Sequence, residues 1–299
     1  MVKLSVFTVA TPDVTPDRLC EIAQSAGIEG IEWRCKETAP EQRAEQPSFW
    51  GNNLSTINPA ATEEEIAVFK NAAEKYGRKA IALTPYIACG DMDHTEQAFA
   101  LANKFGATMV RVGVPGYNRT RHMNDLLAEA DAYLQQVAPL AHQYGVKALI
   151  ETHHFTIAPS ASLAYRLVHA YNPDHVGVLF DPGNMVHEGF ENYRMGMELL
   201  GPYLAHVHVK NAVWTAKEGH VNTEAAVHGG IEPDPLDPIE FAGSWRPVAS
   251  GIVPWKQVLA DLRAVGYDGW LGAEDFSNTY DTETMLRNYA AQMRAWMEE

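Results

Sequence analysis

Five times along the chain an amphipathic, helix-spaced stretch ends at a glycine and passes into a short apolar run: SAG-IEGIEW, KYG-RKAIAL, KFG-ATMVRV, QYG-VKALIE and AVG-YDGWLG. Gly27, Gly77, Gly106, Gly145 and Gly266 stand where a helix closes on a left-handed residue, a conformation that glycine adopts without steric cost. The runs that follow are short and rich in β-branched residues, so they read as strands. With the intervening patterns filled in, strands are predicted near 3–9, 28–34, 79–84, 107–113, 146–151, 175–180, 204–210 and 269–274. Helices are predicted near 15–26, 61–76, 94–105, 123–144, 160–171, 189–200, 253–265 and 280–298. Strict alternation implies a parallel sheet with right-handed crossovers. Eight such units in 299 residues predict an α/β fold, a single (β/α)8 TIM barrel spanning 1–299 as one domain. An open doubly wound sheet is the alternative, but no GxGxxG opens the first helix.

Two connections break the rhythm, at about 35–60 and 211–252, and both are rich in Pro, Gly, Asn and acidic residues. Both follow strands, which puts them on the catalytic face of a barrel. The second carries no strong helix or strand signal, and the prolines of its IEPDPLDP stretch oppose any regular element. Trp214, Phe241 and Trp245 nevertheless give it apolar side chains. The expectation is a lid that excludes water from the barrel mouth; the alternative is a surface loop packed on a partner subunit in a homo-oligomer.

Side chains alternate along a strand, so polar residues of one parity at several strand ends converge on one point. The fifth predicted strand delivers Glu151 and, on the same parity, His153; the sixth delivers Asp181. The seventh places His206, His208 and Lys210 on one parity, and the eighth ends at Glu274. Singly, each has a duller use: a rim ion pair, a turn cap before Pro-Gly, a satisfied core histidine, a helix cap. Together, Glu151, Asp181, His208 and Glu274 form a donor set for one divalent cation. Three oxygens and one nitrogen suit Mn²⁺, Mg²⁺, Co²⁺ or Fe²⁺. Glu32, Arg34 and Arg111 share the inward parity of their strands and, with His153 and Lys210, are candidates to contact substrate. Trp33 and Trp50 read as packing residues, not sugar platforms.

The formal net charge of −15 and the lack of a Lys/Arg cluster argue against nucleic acid as a partner. Cys20, Cys35 and Cys89 have no ligand spacing and read as free thiols. No apolar run approaches the roughly 20 residues of a membrane span, and MVKLSVFTVATPD lacks the features of a leader. A soluble, cytoplasmic protein is expected.

The E-x-H of Glu151 and His153, the D-P-G-N of Asp181 to Asn184, the H-V-H-V-K-N of His206 to Asn211 and the G-Y-D-G-W-L-G-A-E of Gly266 to Glu274 carry a resemblance. The chain resembles the xylose isomerase-like TIM barrels, in particular sugar (phosphate) isomerases and epimerases related to tagatose 3-epimerase. The resemblance covers almost the whole chain. It implies that the same four residues bind a metal, commonly Mn²⁺, and that Glu151 and Glu274 double as acid/base groups. R-P-x-x-x-G from Arg246 to Gly251 is similar to that family's substrate-binding arginine segment. The chain departs from the epimerases in having Asn184 where they carry a histidine, which makes Asn184 a substrate-contact candidate. It also lacks their further carboxylate beyond the fifth strand.

The chemistry implied is proton abstraction beside a metal-bound carbonyl, through an enediolate, with Glu151, Glu274 and His153 as catalytic candidates. That describes a metal-dependent isomerase or epimerase of a keto sugar or related polyol. The alternative is a metal-dependent lyase that acts on a keto sugar or keto-glycoside by β-elimination. The superfamily's DNA-repair branch needs more metal-binding histidines and a basic face, and this chain has neither.

Overall fold

The five junction glycines close their helices in the left-handed region, with φ between 62° and 76°. Each turns the chain from a helix into a strand of one sheet. The computed structural model describes residues 2–217 and 240–298. In chain order the strands are β1 (Lys3–Phe7), β2 (Gly30–Cys35), β3 (Thr56–Ile57), β4 (Lys79–Pro85), β5 (Met109–Arg111), β6 (Lys147–Glu151), β7 (Val176–Phe180), β8 (Leu204–Val209), β9 (Asn211–Ala216), β10 (Phe241–Arg246) and β11 (Trp270–Ala273). Pairing runs β1-β11-β8-β7-β6-β5-β4-β2, and β2 pairs back to β1, which closes an eight-stranded parallel barrel. The two-residue β3 adds to β2 through Arg34↔Thr56 and Cys35↔Ile57. The predicted single TIM barrel is the fold.

The helices are α1 (Pro16–Ala26), α2 (Glu63–Lys75), α3 (Met92–Phe105), α4 (Met123–Tyr144), α5 (Ala161–Val168), α6 (Pro182–His187), α7 (Tyr193–Leu200), α8 (Trp255–Ala264) and α9 (Thr282–Glu298). The helix expected over 189–200 is α7, which begins at Tyr193, and an unpredicted short helix, α6, precedes it. The short α6 starts immediately after β7 because Asp181 caps it, accepting the Asn184 N–H at 2.9 Å, and Pro182 supplies a first residue already held at helical φ. Asn192 caps α7 in the same way. The major core lies between strands and helices. A smaller cluster of Ile81, Ala82, Met109, Leu149 and Leu179 fills the barrel. Met109, Leu149 and Leu179 stand two residues before Arg111, Glu151 and Asp181, so the same inward rows turn from apolar to charged toward the mouth.

The excursion after β8 differs from expectation. Its two ends, β9 and β10, form an antiparallel ribbon in register from Asn211↔Arg246 to Ala216↔Phe241. Six residues show little periodicity, and no turn signal joins strands so far apart in sequence. IEPDPLDP and the rest of 218–239 lie outside the described residues. The ribbon packs on α6: the Trp214 indole N–H donates to the Val186 carbonyl at 2.7 Å, and the His187 ring meets Trp245 edge-on at 4.3 Å. Gly243 lies under His187; a Cβ there would come 2.1 Å from the ring Nδ1. No described helix is long and apolar enough to cross a membrane, and Cys20, Cys35 and Cys89 are free.

Where the excursion leaves and returns, the buried Asn211 side chain joins the two paths. Its amide donates to the Val248 and Val253 carbonyls at 2.8 and 3.1 Å, and its oxygen accepts the Ala212 and Val253 N–H groups at 2.9 Å each. Removing it strands buried backbone donors and acceptors, each costing on the order of 1 kcal/mol or more. Asn211→Ala is therefore expected to destabilise the protein by about 3 kcal/mol. Urea unfolding checks this: the midpoint should fall with an unchanged slope, and a shift below about 1 kcal/mol would deny the clasp its role.

Candidate metal centre and pocket

Glu151 ends β6, Asp181 follows β7, His208 lies in β8 and Glu274 follows β11, and all four are buried. One donor atom from each lies within 4.8 Å of the others. His208 Nδ1 is the common neighbour, 3.2 Å from Glu274 Oε2, 3.6 Å from Glu151 Oε1 and 3.7 Å from Asp181 Oδ2. It is buried without a hydrogen-bond partner. An orphaned imidazole nitrogen facing three carboxylates is a donor set that fits a divalent cation.

The orientation of His208 comes from below. Glu32 Oε2 lies 2.8 Å from His206 Nε2 and 3.0 Å from His208 Nε2, while Glu32 Oε1 accepts the Thr84 hydroxyl at 2.5 Å. A carboxylate only accepts, so each histidine presents an N–H at Nε2, and His208 turns Nδ1 to the mouth. Phe7 stacks on the His208 ring at 5.4 Å. Burial opposes the imidazolium of His208, but the charges of Glu32 and Glu274 outweigh it and raise its pKa well above the usual value. A cation taking Nδ1 displaces that proton.

Two cations meet the carboxylates. Arg111 donates to Glu151 Oε2 at 2.6 Å, and Lys210 Nζ lies 2.8 Å from Asp181 Oδ2 and 2.5 Å from Glu274 Oε2. Burial disfavours ionised Glu151, yet Arg111 and His208 hold its carboxyl well below the usual range. Lys210 and His208 lower the Asp181 carboxyl against its own burial. The Asn184 amide ties the set together, donating to Glu151 Oε1, Thr152 O and Asp181 Oδ2 at 2.9–3.2 Å.

Above this floor opens a cavity of about 660 Å³. Of the candidate substrate contacts, Arg111, His153, Asn184 and Lys210 line it, together with Glu151 and Glu274. Glu32 and Arg34 do not. Glu32 is under His208, and Arg34 is buried and bonded to Tyr86 Oη, Thr56 Oγ1 and the Trp50 carbonyl. Arg246 is exposed at the end of β10, outside the lining, because the ribbon's pairing turns it to solvent. Trp33 is packed in the core against Phe69 as expected, but Trp50 is not: it is 54% exposed and forms part of the cavity wall. Tyr86, His154 and Phe276 also line the cavity, and the sequence reading misses them. All three lie beyond the ends of their strands. Burial lowers the His154 pKa to about 4, so its imidazole is neutral.

The description of the xylose isomerase-like TIM barrel family matches residues 20–299. Inosose dehydratase 1 of Bacillus cereus is 26% identical over 173 residues, 56% of this chain and 52% of that protein. The match thus spans about half the length of that curated relative. Among solved structures, an IOLI protein with a bound zinc atom superposes with a TM-score of 0.71 at 14% identity, covering 99% of this chain and 98% of that one. An L-ribulose 3-epimerase does so with a TM-score of 0.71 at 15% identity, covering 100% and 95%. At such identities these structures share the fold.

Glu32 touches no cavity space, so its role is to aim His208. Glu32→Gln is expected to weaken divalent-cation binding by about 10- to 100-fold, as loss of a supporting partner commonly does, with the fold retained. Calorimetric titration with Mn²⁺ alongside circular dichroism tests this. Wild-type affinity in a folded variant would remove Glu32 from the centre.

Proposed function

The chain belongs to the xylose isomerase-like TIM barrel family, and on that footing we propose that it is a metal-dependent isomerase or epimerase of a keto sugar or related polyol. The observation that carries the reading is the pair Glu151 and Glu274, brought from the ends of β6 and β11 to within 3.6 and 3.2 Å of His208 Nδ1. Glu151, Asp181, His208 and Glu274 would hold the cation, with Mn²⁺ the first candidate on donor set. Bound there, it would polarise the substrate carbonyl and offset the charge that develops as the neighbouring proton leaves. The chain's own residues do the rest. Arg111 keeps Glu151 ionised, the state a base needs, and Glu274 stands ready on the other face to exchange a proton. Return of the proton to the opposite face inverts the carbon; return to the former carbonyl carbon interconverts ketose and aldose. Trp245 and Phe276 in the wall exclude water from the reacting carbons.

One observation favours a second reading, β-elimination by a lyase. The His153 Nδ1 lies 2.7 Å from the His154 carbonyl, which can only accept, so an uncharged ring carries its lone pair on Nε2 in the cavity wall. A third proton-transfer group beside two glutamates is what elimination adds to enolisation, and the partial relative named a dehydratase points the same way.

Turnover of keto sugars in D₂O with Mn²⁺ tests both readings. Deuterium gained with the carbon skeleton intact supports the isomerase or epimerase; release of water or a fragment supports the lyase; neither outcome on a broad panel of keto sugars would end both. Glu151→Gln and Glu274→Gln are each expected to lower turnover by about 10²- to 10⁴-fold at matched metal occupancy. Near-normal turnover in metal-loaded Glu274→Gln would exclude Glu274 from proton transfer.

A further inference from the structure

The cavity is larger than a free monosaccharide needs, and part of its lining is apolar. Even at the roughly 30 Å³ that one water occupies in the liquid, the dozen non-hydrogen atoms of a hexose fill about 360 Å³, against about 660 Å³ available. Besides the carboxylates, the cavity has an apolar lining. It is formed by Trp50, Tyr86, Ile87, Val114, Trp245 and Phe276. Phe276 links the aromatic side of this wall, with ring centroids 5.1 Å from Trp50 and 5.8 Å from Trp245. Trp50 and Tyr86 are about half exposed; the Tyr86 ring carries Arg34 and Arg111 at 5.4 and 5.1 Å, which leaves Trp50 the more open platform.

The lining cations Arg111 and Lys210 are committed to Glu151, Asp181 and Glu274 on the floor. Arg111 also lies over the Tyr86 ring at 5.1 Å, and Lys210 over the Trp245 and Phe276 rings at 4.8 and 5.2 Å, while Arg34 is turned to Tyr86, Thr56 and the Trp50 carbonyl. Both lining cations are already paired with the floor carboxylates, so a phosphate or carboxylate at the apolar wall would have to compete for them. A flat apolar group would bury its faces against aromatic rings.

We propose that the substrate is a neutral glycoside whose sugar ring bears the ketone: that ring lies over Glu151 and Glu274, and an aromatic or similarly flat apolar aglycone occupies the wall of Trp50, Tyr86, Trp245 and Phe276. This rests on reading the floor as a sugar-carbonyl site and adds the class of molecule that reaches it. Binding to the Mn²⁺-loaded protein, followed by calorimetry, compares phenyl β-D-glucopyranoside, methyl β-D-glucopyranoside and glucose 6-phosphate. The phenyl glycoside should bind about tenfold or more tightly than the methyl glycoside, and the phosphate no better than the methyl glycoside. Trp50→Ala, at an exposed position, should remove most of the phenyl advantage and leave Mn²⁺ affinity intact. Equal affinity for the two glycosides, no measurable affinity for either, tighter binding of the phosphate, or a full phenyl advantage in folded Trp50→Ala would each overturn the proposal. Solvent deuterium exchange on keto sugars does not depend on the aglycone. A protein that exchanges deuterium without preferring the phenyl glycoside keeps its reaction and loses this substrate class, and the opposite result does the reverse.

Discussion

Three buried carboxylates, Glu151, Asp181 and Glu274, share a space whose donor atoms lie within 4.8 Å of one another, and such a group cannot stay ionised without positive charge beside it. Much of the barrel's mouth follows from that constraint. Arg111 and Lys210 approach from β5 and from the end of β8, and the His208 ring stands in the middle with its far nitrogen tied to Glu32. Each of these groups would be prohibitively costly to bury alone and is stable here because the others are present. The layer beneath, of Met109, Leu149 and Leu179, is dry and apolar, which keeps the electrostatic interactions above it strong.

The barrel and the four metal-ligand candidates are legible in the sequence because both are written in strict periods. Helix-closing glycines recur with the βα unit, and strand parity projects a polar residue to a definite side, so the positions of Glu151, Asp181, His208 and Glu274 follow from counting. Parity also names Glu32 but cannot tell what it touches. Its distance from the mouth depends on the stagger of β2 against its neighbours, which is irregular between Ile31 and Glu32. The same count does not distinguish a group in the cavity from one directly beneath it.

Loops carry no period, and there the sequence misleads. Trp50 reads as a packing residue because aromatic residues usually are; its exposure depends on how 35–60 crosses the mouth. Arg246 reads as a substrate ligand, but the antiparallel pairing of β9 with β10 faces it outward. That ribbon is a non-local element, and short strands far apart in sequence leave no local trace. What the pattern does convey is location. Both long connections lie on the side where the carboxylates converge, since Trp50 and Trp245 line the cavity.

The short helix α6 has a metal-ligand candidate at one end and the ribbon at the other. Asp181 caps its start, while Val186 and His187 at its finish hold Trp214, Trp245 and the bare backbone of Gly243. Less than two helical turns separate the two attachments. The cavity wall formed by the ribbon and the candidate cation ligand Asp181 are thus two ends of one short helix. A chain of this design cannot freely exchange its ribbon for another to suit a new substrate, since any replacement that tilts α6 also re-aims Asp181. Diversification is easier at Trp50 and Tyr86, which reach the same cavity from segments with no hold on α6.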